Sequence, residues 1–264
     1  MANMFIFGLG YSAGHIRKAA LTHGWQVAAT GREGDVDFAD RDAVKRAIER
    51  SSHILSSVPP SQNSDPVLDE YSDLLTGFSG WTGYLSSSGV YGDARGAWVD
   101  ESSPTGRGRR QARSAADARW LALGARVFRL PGIYGPGRSM FERIASGKAH
   151  RIDIKGQVFS RIHVEDIASG VMAAALNSSP AGAYNLADDR PSPHNAVVEE
   201  ACRILGKTPP PMQKLEEAGL SEMAKGFYAE NRRIANGKAK RILGWQPKFP
   251  DFTAGLRAIW AAQS

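Results

Sequence analysis

Met4-Phe5-Ile6-Phe7-Gly8-Leu9-Gly10-Tyr11-Ser12-Ala13-Gly14 decides how the rest of the chain is read. The apolar run Met4 to Phe7 predicts a buried strand. Gly8 to Ala13 fits G-x-G-x-x-G/A, and a helix-compatible segment follows from His15 to Leu21. Strand, glycine turn and helix in that order form the context of a dinucleotide-binding fingerprint. In that reading Gly8 makes the tight turn and Gly10, lacking a Cβ, lets the backbone approach a pyrophosphate. Ala13 is small enough for helix and strand to pack closely. Tyr11 and Ser12 open the helix, whose N-terminus offers free N–H groups and a partial positive charge to phosphates.

Two other readings use the same residues. Gly10-Tyr11-Ser12-Ala13-Gly14 is formally G-x-S-x-G, the nucleophile elbow of α/β-hydrolases. That elbow needs an oxyanion loop earlier in the chain, and only nine residues precede Gly10 here. The third reading is a glycine-rich turn that merely joins a strand to a helix.

Composition narrows the class. A chain of 264 residues suits one domain, or one domain plus a lobe. Hydrophobic residues at 42% and charged residues at 23% are those of a soluble globule, and no apolar run approaches the ~20 residues that span a bilayer. The N-terminus lacks the charged start of a signal peptide, so a cytoplasmic location is expected. Cys202 is the sole cysteine, which excludes an internal disulfide; its helical surroundings make it a small core residue. No His/Cys/Asp/Glu spacing suggests a metal site. The net charge of +6 is compatible with acidic partners or with scattered solvated side chains. The densest cluster, Arg107, Arg109, Arg110 and Arg113, has no interleaved aromatic residues. No nucleic-acid or membrane partner is therefore expected.

Strand and helix signals alternate along the first half. Strands are predicted at 25–30, 36–38, 53–58, 83–87 and 125–130, and helices at 41–51 (with Asp40 as N-cap), 65–78 and 107–123. Beyond Pro131 the expected elements are helices at 139–146 and 164–176, strands at 151–155 and 183–187, and a mostly helical remainder from Pro191. The pattern predicts an α/β, doubly wound parallel Rossmann sheet with a small, mostly helical capping lobe. Residues 1–134 and 162–187 would form the dinucleotide-binding domain, and 135–161 and 188–264 the lobe. Ligands belong at the carboxyl ends of such strands, which adds Val58 and Pro131 as cofactor contacts. Where an NAD-binding unit carries an acid for the ribose hydroxyl, this chain has Thr30-Gly31-Arg32. Arg32 suits a 2′-phosphate, so NADP is favoured, with NAD as the alternative.

Ser86-Ser87-Ser88-Gly89-Val90-Tyr91-Gly92 resembles the strand-five signature of extended short-chain dehydrogenases/reductases, which include nucleotide-sugar epimerases and dehydratases. Further matches follow in order: Arg129-Leu130-Pro131-Gly132-Ile133-Tyr134-Gly135-Pro136-Gly137, Arg161-Ile162-His163-Val164-Glu165-Asp166, Tyr184-Asn185-Leu186, and Asn236 through Trp245. The resemblance implies hydride transfer on a small polar substrate, sugar-related or anionic, with Ser87 as the hydroxyl catalyst, or Ser88, otherwise a substrate contact, if the register slips by one. Such a protein is compatible with a homodimer. The chain departs from the family at its Tyr-x-x-x-Lys pair, where Arg109 and Arg113 stand. On one helix face these two would repel unless they shared an anion, bound water or a carboxylate partner. Arg113 would take over a cofactor contact and Arg109 a substrate contact. A guanidinium is no general acid, so Tyr91 becomes the substitute proton donor. Tyr134 and His163 complete the expected substrate cleft, although His163 also reads as a structural residue. A non-catalytic NADP-binding sensor or regulator is the alternative function.

Overall fold

The strand β1 (Asn3–Phe7) leads through the glycine turn into α1 (Tyr11–Thr22), and β2 (Gln26–Ala29) returns parallel to β1 in the computed structural model, which describes residues 2–61, 64–109 and 111–263. The same right-handed step repeats. It runs through α2 (Arg41–Glu49), β3 (His53–Ser56), α3 (Pro66–Thr76), β4 (Trp81–Ser87), a 3-10 turn (Ser88–Tyr91), the short β5 (Trp98–Val99), α4 (Gln111–Ala122) and β6 (Arg126–Leu130). Then come β7 (Gly132–Tyr134), α5 (Met140–Ala145), β8 (Arg151–Ile152), β9 (Arg161–His163), α6 (Val164–Leu176) and β10 (Gly182–Asn185). The chain finishes with α7 (His194–Ile204), β11 (Met212–Gln213), α8 (Glu222–Tyr228), β12 (Arg233–Ile234), α9 (Gly237–Leu243) and α10 (Phe252–Ala261).

Side chains start these helices where the sequence supplies an acceptor. Asp40 accepts from Ala43 N (2.9 Å), and Asp65 accepts from Val67 N and Leu68 N with Pro66 at the first helical position. Ser139 and Glu142 form a reciprocal capping box on α5.

The central sheet has six parallel strands in the order β10-β6-β4-β3-β1-β2. Strand order reverses at β1, so a crevice opens between the carboxyl ends of β1 and β3. Apolar residues cover both faces. Ile6, Ile16, Phe128, Ile167 and Val171 belong to one core, and Phe5, Phe7, Ile54, Tyr71 and Trp120 to the other. A third core, with Tyr134, Phe141, Val198, Cys202 and Leu256, lies under the lobe. Cys202 is buried there.

Three expectations need correction. Residues 36–38 form no strand; only a single parallel bridge joins Thr30 to Val36. Asp35 turns the chain back instead, its carboxylate accepting from Ala29 N at 2.7 Å while Asp35 N and Val36 N both donate to Ala29 O. The helix expected from Arg107 begins only at Gln111. Gly108 packs so close to the carbonyl of Gly89 that a side chain would not fit, and Gln111 Nε2 donates to Gly106 O and Gly108 O. Finally, α9 packs on α6, and Ala239, Leu243 and Trp245 join the first core. That stretch, expected in the lobe, covers the sheet.

Candidate cofactor and substrate clefts

The glycine turn is built around two positions with opposite demands. Gly8 has φ +84°, and a Cβ there would stand 2.8 Å from Val58 Cγ2, so only glycine fits. Its N–H donates to Thr30 Oγ1 (2.9 Å), Leu9 N donates to Thr30 O (2.7 Å), and Ser57 Oγ donates to Gly8 O (2.6 Å). Gly10 has extended backbone that any residue adopts, and a Cβ there would meet nothing within 4 Å. It is the N-cap of α1 and makes no side-chain cap bond, so the first N–H groups of the helix lack a side-chain acceptor. Ala13 is buried against the sheet, and Ser12 is half-buried beside it. This is the cradle that a pyrophosphate needs.

A cavity opens over this turn, lined by Gly10, Tyr11, His15, Lys18, Arg32 and Glu33 among others. Arg32 is exposed at its edge. Lys18 and Glu33 were not anticipated. Lys18 lies four residues after Gly14, on the same face of α1, and Glu33 follows Arg32 directly.

The second cleft, of about 620 Å³, lies beyond the carboxyl ends of β4 and β6. Ser87, Ser88, Pro131 and Tyr134 line one part of it, and Arg109 and Arg161 another. Ser87 Oγ accepts from Gly89 N at 3.1 Å and so holds the turn that follows β4. Side chains lining the two cavities touch at the Tyr11–Arg138 pair. Tyr11, from the first, donates its hydroxyl to Pro136 O (3.0 Å), and Arg138, from the second, lies 5.6 Å over the Tyr11 ring.

Several expected site residues lie elsewhere. Tyr91 is buried, and its hydroxyl donates to Asn185 Oδ1 (2.7 Å) while accepting from Arg129 Nη1 (3.1 Å). Burial pushes its ionisation up to about 12. The expectation that Tyr91 gives a proton to a substrate is corrected, because its one proton is already committed inside the fold. Arg109 and Arg113 share no helix face, since Arg109 precedes α4. Arg109 lies 3.5 Å from Glu230 through Nε, whereas Arg113 Nη1 donates to the Tyr84 hydroxyl (2.8 Å) and Leu85 O (3.3 Å). Arg113 lines neither cavity, and the notion of a shared anion falls with it. Arg110 lies outside the described residues. Val58 packs over Gly8 rather than lining a cavity.

His163 also lines neither cavity. Its Nδ1 accepts from Glu165 N (3.2 Å) and caps α6, with the ring packed 4.2 Å from Phe249 and 5.1 Å from Tyr134. Burial pushes the imidazole down to about 4. The unfolded chain, with His near ~6.5, binds the extra proton first as pH falls. The stability carried by neutral His163 is therefore full above ~6.5 and is lost as pH falls through about 4. His163→Asn keeps a capping acceptor without that titration. The fall in urea midpoint between neutral and mildly acid pH should be shallower in the variant, and an unchanged slope would remove His163 from the account.

Among the described residues no group of His, Cys, Asp and Glu is arranged to hold a metal ion, and no helix is long and apolar enough to cross a membrane.

No family model matches the chain. A conserved protein of unknown function from Silicibacter pomeroyi superposes over 99% of both chains with a TM-score of 0.89 and 36% sequence identity. A human epimerase family protein solved with NADPH shares the fold at a TM-score of 0.75, over 97% of this chain and 98% of that one, with 15% identity. The chain has the fold of the extended short-chain dehydrogenases/reductases, in an atypical form. Among curated proteins the chain is 30% identical over 145 residues to a 3-diazoavenalumate denitrifying reductase from a Streptomyces species, covering 51% of its own length and 46% of that protein. The match to Protein YeeZ of Escherichia coli is 28% identical over 175 residues, 58% of that protein. The chain thus spans about half the length of the curated relatives it matches.

Proposed function

We propose that the protein is an NADP(H)-dependent reductase that acts by hydride transfer on a small, polar, anionic substrate held beside Ser87. One observation carries this reading: Tyr11, which lines the cavity on the glycine turn, stacks against Arg138, which lines the cleft beside Ser87. A nicotinamide dinucleotide, when bound, supplies the hydride. Gly10 and the start of α1 would hold its pyrophosphate, and Arg32 with Lys18 its ribose phosphate. Ser87 orients a substrate oxygen. Guanidinium donors of the cleft, rather than a phenol and lysine, meet the negative charge that develops there. The reductase name of the Streptomyces relative and the NADPH in the human structure point the same way.

Glu33 beside Arg32 opposes a phosphate, so the preference for NADPH over NADH rests on the two cations outweighing it. Arg32→Ala should weaken NADPH binding roughly tenfold and leave NADH almost unchanged. Calorimetry with both cofactors checks this, and equal losses for the two would sink the assignment.

NADPH oxidation, followed by absorbance over a set of carboxylate-bearing aldehydes, ketones and quinones, tests the activity. Turnover that disappears in both Gly10→Val and Ser87→Ala supports it. Tight NADPH binding without substrate-dependent oxidation favours a second reading, an NADP-binding sensor. What speaks for that reading is Arg109 at the family's phenol position and the internal commitment of Tyr91.

A further inference from the structure

Rings wall the outer part of the cleft beside Ser87. Phe159 meets Tyr228 edge to face (5.5 Å, 89°), and His194 stands nearly perpendicular to Tyr228 (6.4 Å, 85°). His150 stacks on His194 at 5.1 Å and 29°. All four line the cleft. They come from separate places: the segments flanking β8, the first residue of α7 and the last of α8. His150 Nε2 lies 3.0 Å from the Tyr228 hydroxyl, which fixes both rings. Burial pushes both imidazoles down, His194 to about 3, so near neutral pH these are uncharged flat surfaces.

A buried cation borders the rings. Arg161 is only 9% exposed, lines the cleft and lies 6.0 Å over the Phe159 ring. Its two hydrogen bonds both leave from Nη1, to Phe159 O and Ser192 O (2.9 Å each). Those acceptors are neutral carbonyls. The carboxyl acting most strongly on it, Asp188, makes no ion pair with it among the described residues; burial pushes Asp188 up, and neither of its carboxylate oxygens has a hydrogen-bond partner there. Arg161 itself is drawn down only to about 10. The wall therefore holds a desolvated guanidinium whose side-chain hydrogen bonds go to neutral carbonyls, with no carboxylate at ion-pair distance among the described residues, an arrangement that favours an incoming anion. Arg109 and Arg232, by contrast, already share Glu230 (3.5 and 2.8 Å).

We infer that this part of the cleft binds a planar aromatic carboxylate, its ring against Phe159, Tyr228 and His194 and its carboxylate on Arg161. The inference rests on the cleft being the substrate site proposed above and names the substrate class. A sugar brings a ring of hydroxyls, each needing a polar partner on burial, and this wall offers mainly ring faces and edges. One delocalised anion on a flat body matches the guanidinium groups beside these flat rings, Arg161 and, acting on His150, His194 and Tyr228, Arg143.

Calorimetry with 4-hydroxybenzoate and 4-hydroxycinnamate tests it, with and without NADPH. Cyclohexanecarboxylate removes the planarity, 4-hydroxybenzyl alcohol the charge, and UDP-glucose is the sugar-nucleotide control. The aromatic carboxylates should bind at least roughly tenfold more tightly than any of the three controls. Tyr228→Leu should weaken them by a similar factor and leave the NADPH affinity unchanged. Arg161→Gln should abolish the difference between acid and alcohol; if that variant fails to fold, Tyr228→Leu still decides. Tighter binding of UDP-glucose, indifference to ring planarity, or an unaffected Tyr228→Leu variant would overturn the inference. Aromatic carboxylate binding without NADPH binding would leave it standing and remove the reductase reading instead.

Discussion

Gly10→Val will lower NADPH affinity by well over tenfold and leave the melting temperature nearly where it is. The two halves of that result have the same cause. The Gly10 backbone is extended, so valine adopts it without strain, and a Cβ there touches nothing within 4 Å. The fold does not require the missing side chain; only a ligand close to the backbone does. Gly8→Ala is the contrasting control, since φ +84° and the 2.8 Å approach of Val58 make it destabilising with or without cofactor. Calorimetry beside thermal melts separates the two variants. Undiminished NADPH binding by Gly10→Val would show that the glycine turn joins strand to helix and does nothing more.

Asp117→Leu will cost the fold about 3–5 kcal/mol, read as a fall in urea midpoint. Asp117 and Arg129 are 3% and 4% exposed and bond through two contacts, Nη2 to Oδ1 at 2.8 Å and Nε to Oδ2 at 3.1 Å. Ser86 Oγ donates to the same carboxylate at 2.6 Å. Removing the carboxylate strands a buried guanidinium and a buried hydroxyl together. A double variant, Asp117→Leu with Arg129→Met, should regain most of the loss, because the penalty is the unpaired charge and not the missing attraction. Asp73→Ala breaks the surface pair with Arg41, whose side chains are 63% and 44% exposed, and should shift stability by less than about 1 kcal/mol. Equal losses from the buried and the exposed pair would contradict the reasoning.

The glycine turn was legible in the sequence because its requirements are properties of residue type: positive φ at Gly8 and no Cβ at Gly10. Helix starts at Asp40 and Asp65 were legible for the same reason, each a short acceptor just before an apolar run. The strand expected at 36–38 failed because a side chain, Asp35, satisfies the backbone of β2 where a neighbouring strand would have done so. Tyr91 was misplaced as a donor because nearness in sequence to Ser87 says nothing about which way a side chain turns. The cleft wall was not legible at all. His150, Phe159, His194 and Tyr228 come from four segments with no common period, and only the folded lobe brings their rings together. Ser87, Ser88, Pro131 and Tyr134 share the cleft because each sits at or just after the end of a strand, which the alternation of elements does foretell.

The packing of α6 on α1, and of α9 on α6, bears on how the chain is made. Ala13, Ile16 and Ala20 share one core with Ile167, Val171 and Met172, and that core closes only with Ala239, Leu243 and Trp245. A nascent chain emerging N-terminus first has its nucleotide-binding strands and first helix ready long before their cover is synthesised. For most of translation one face of the sheet stays wet and apolar. A ribosome stalled anywhere ahead of residue 239 would present a sticky intermediate to chaperones.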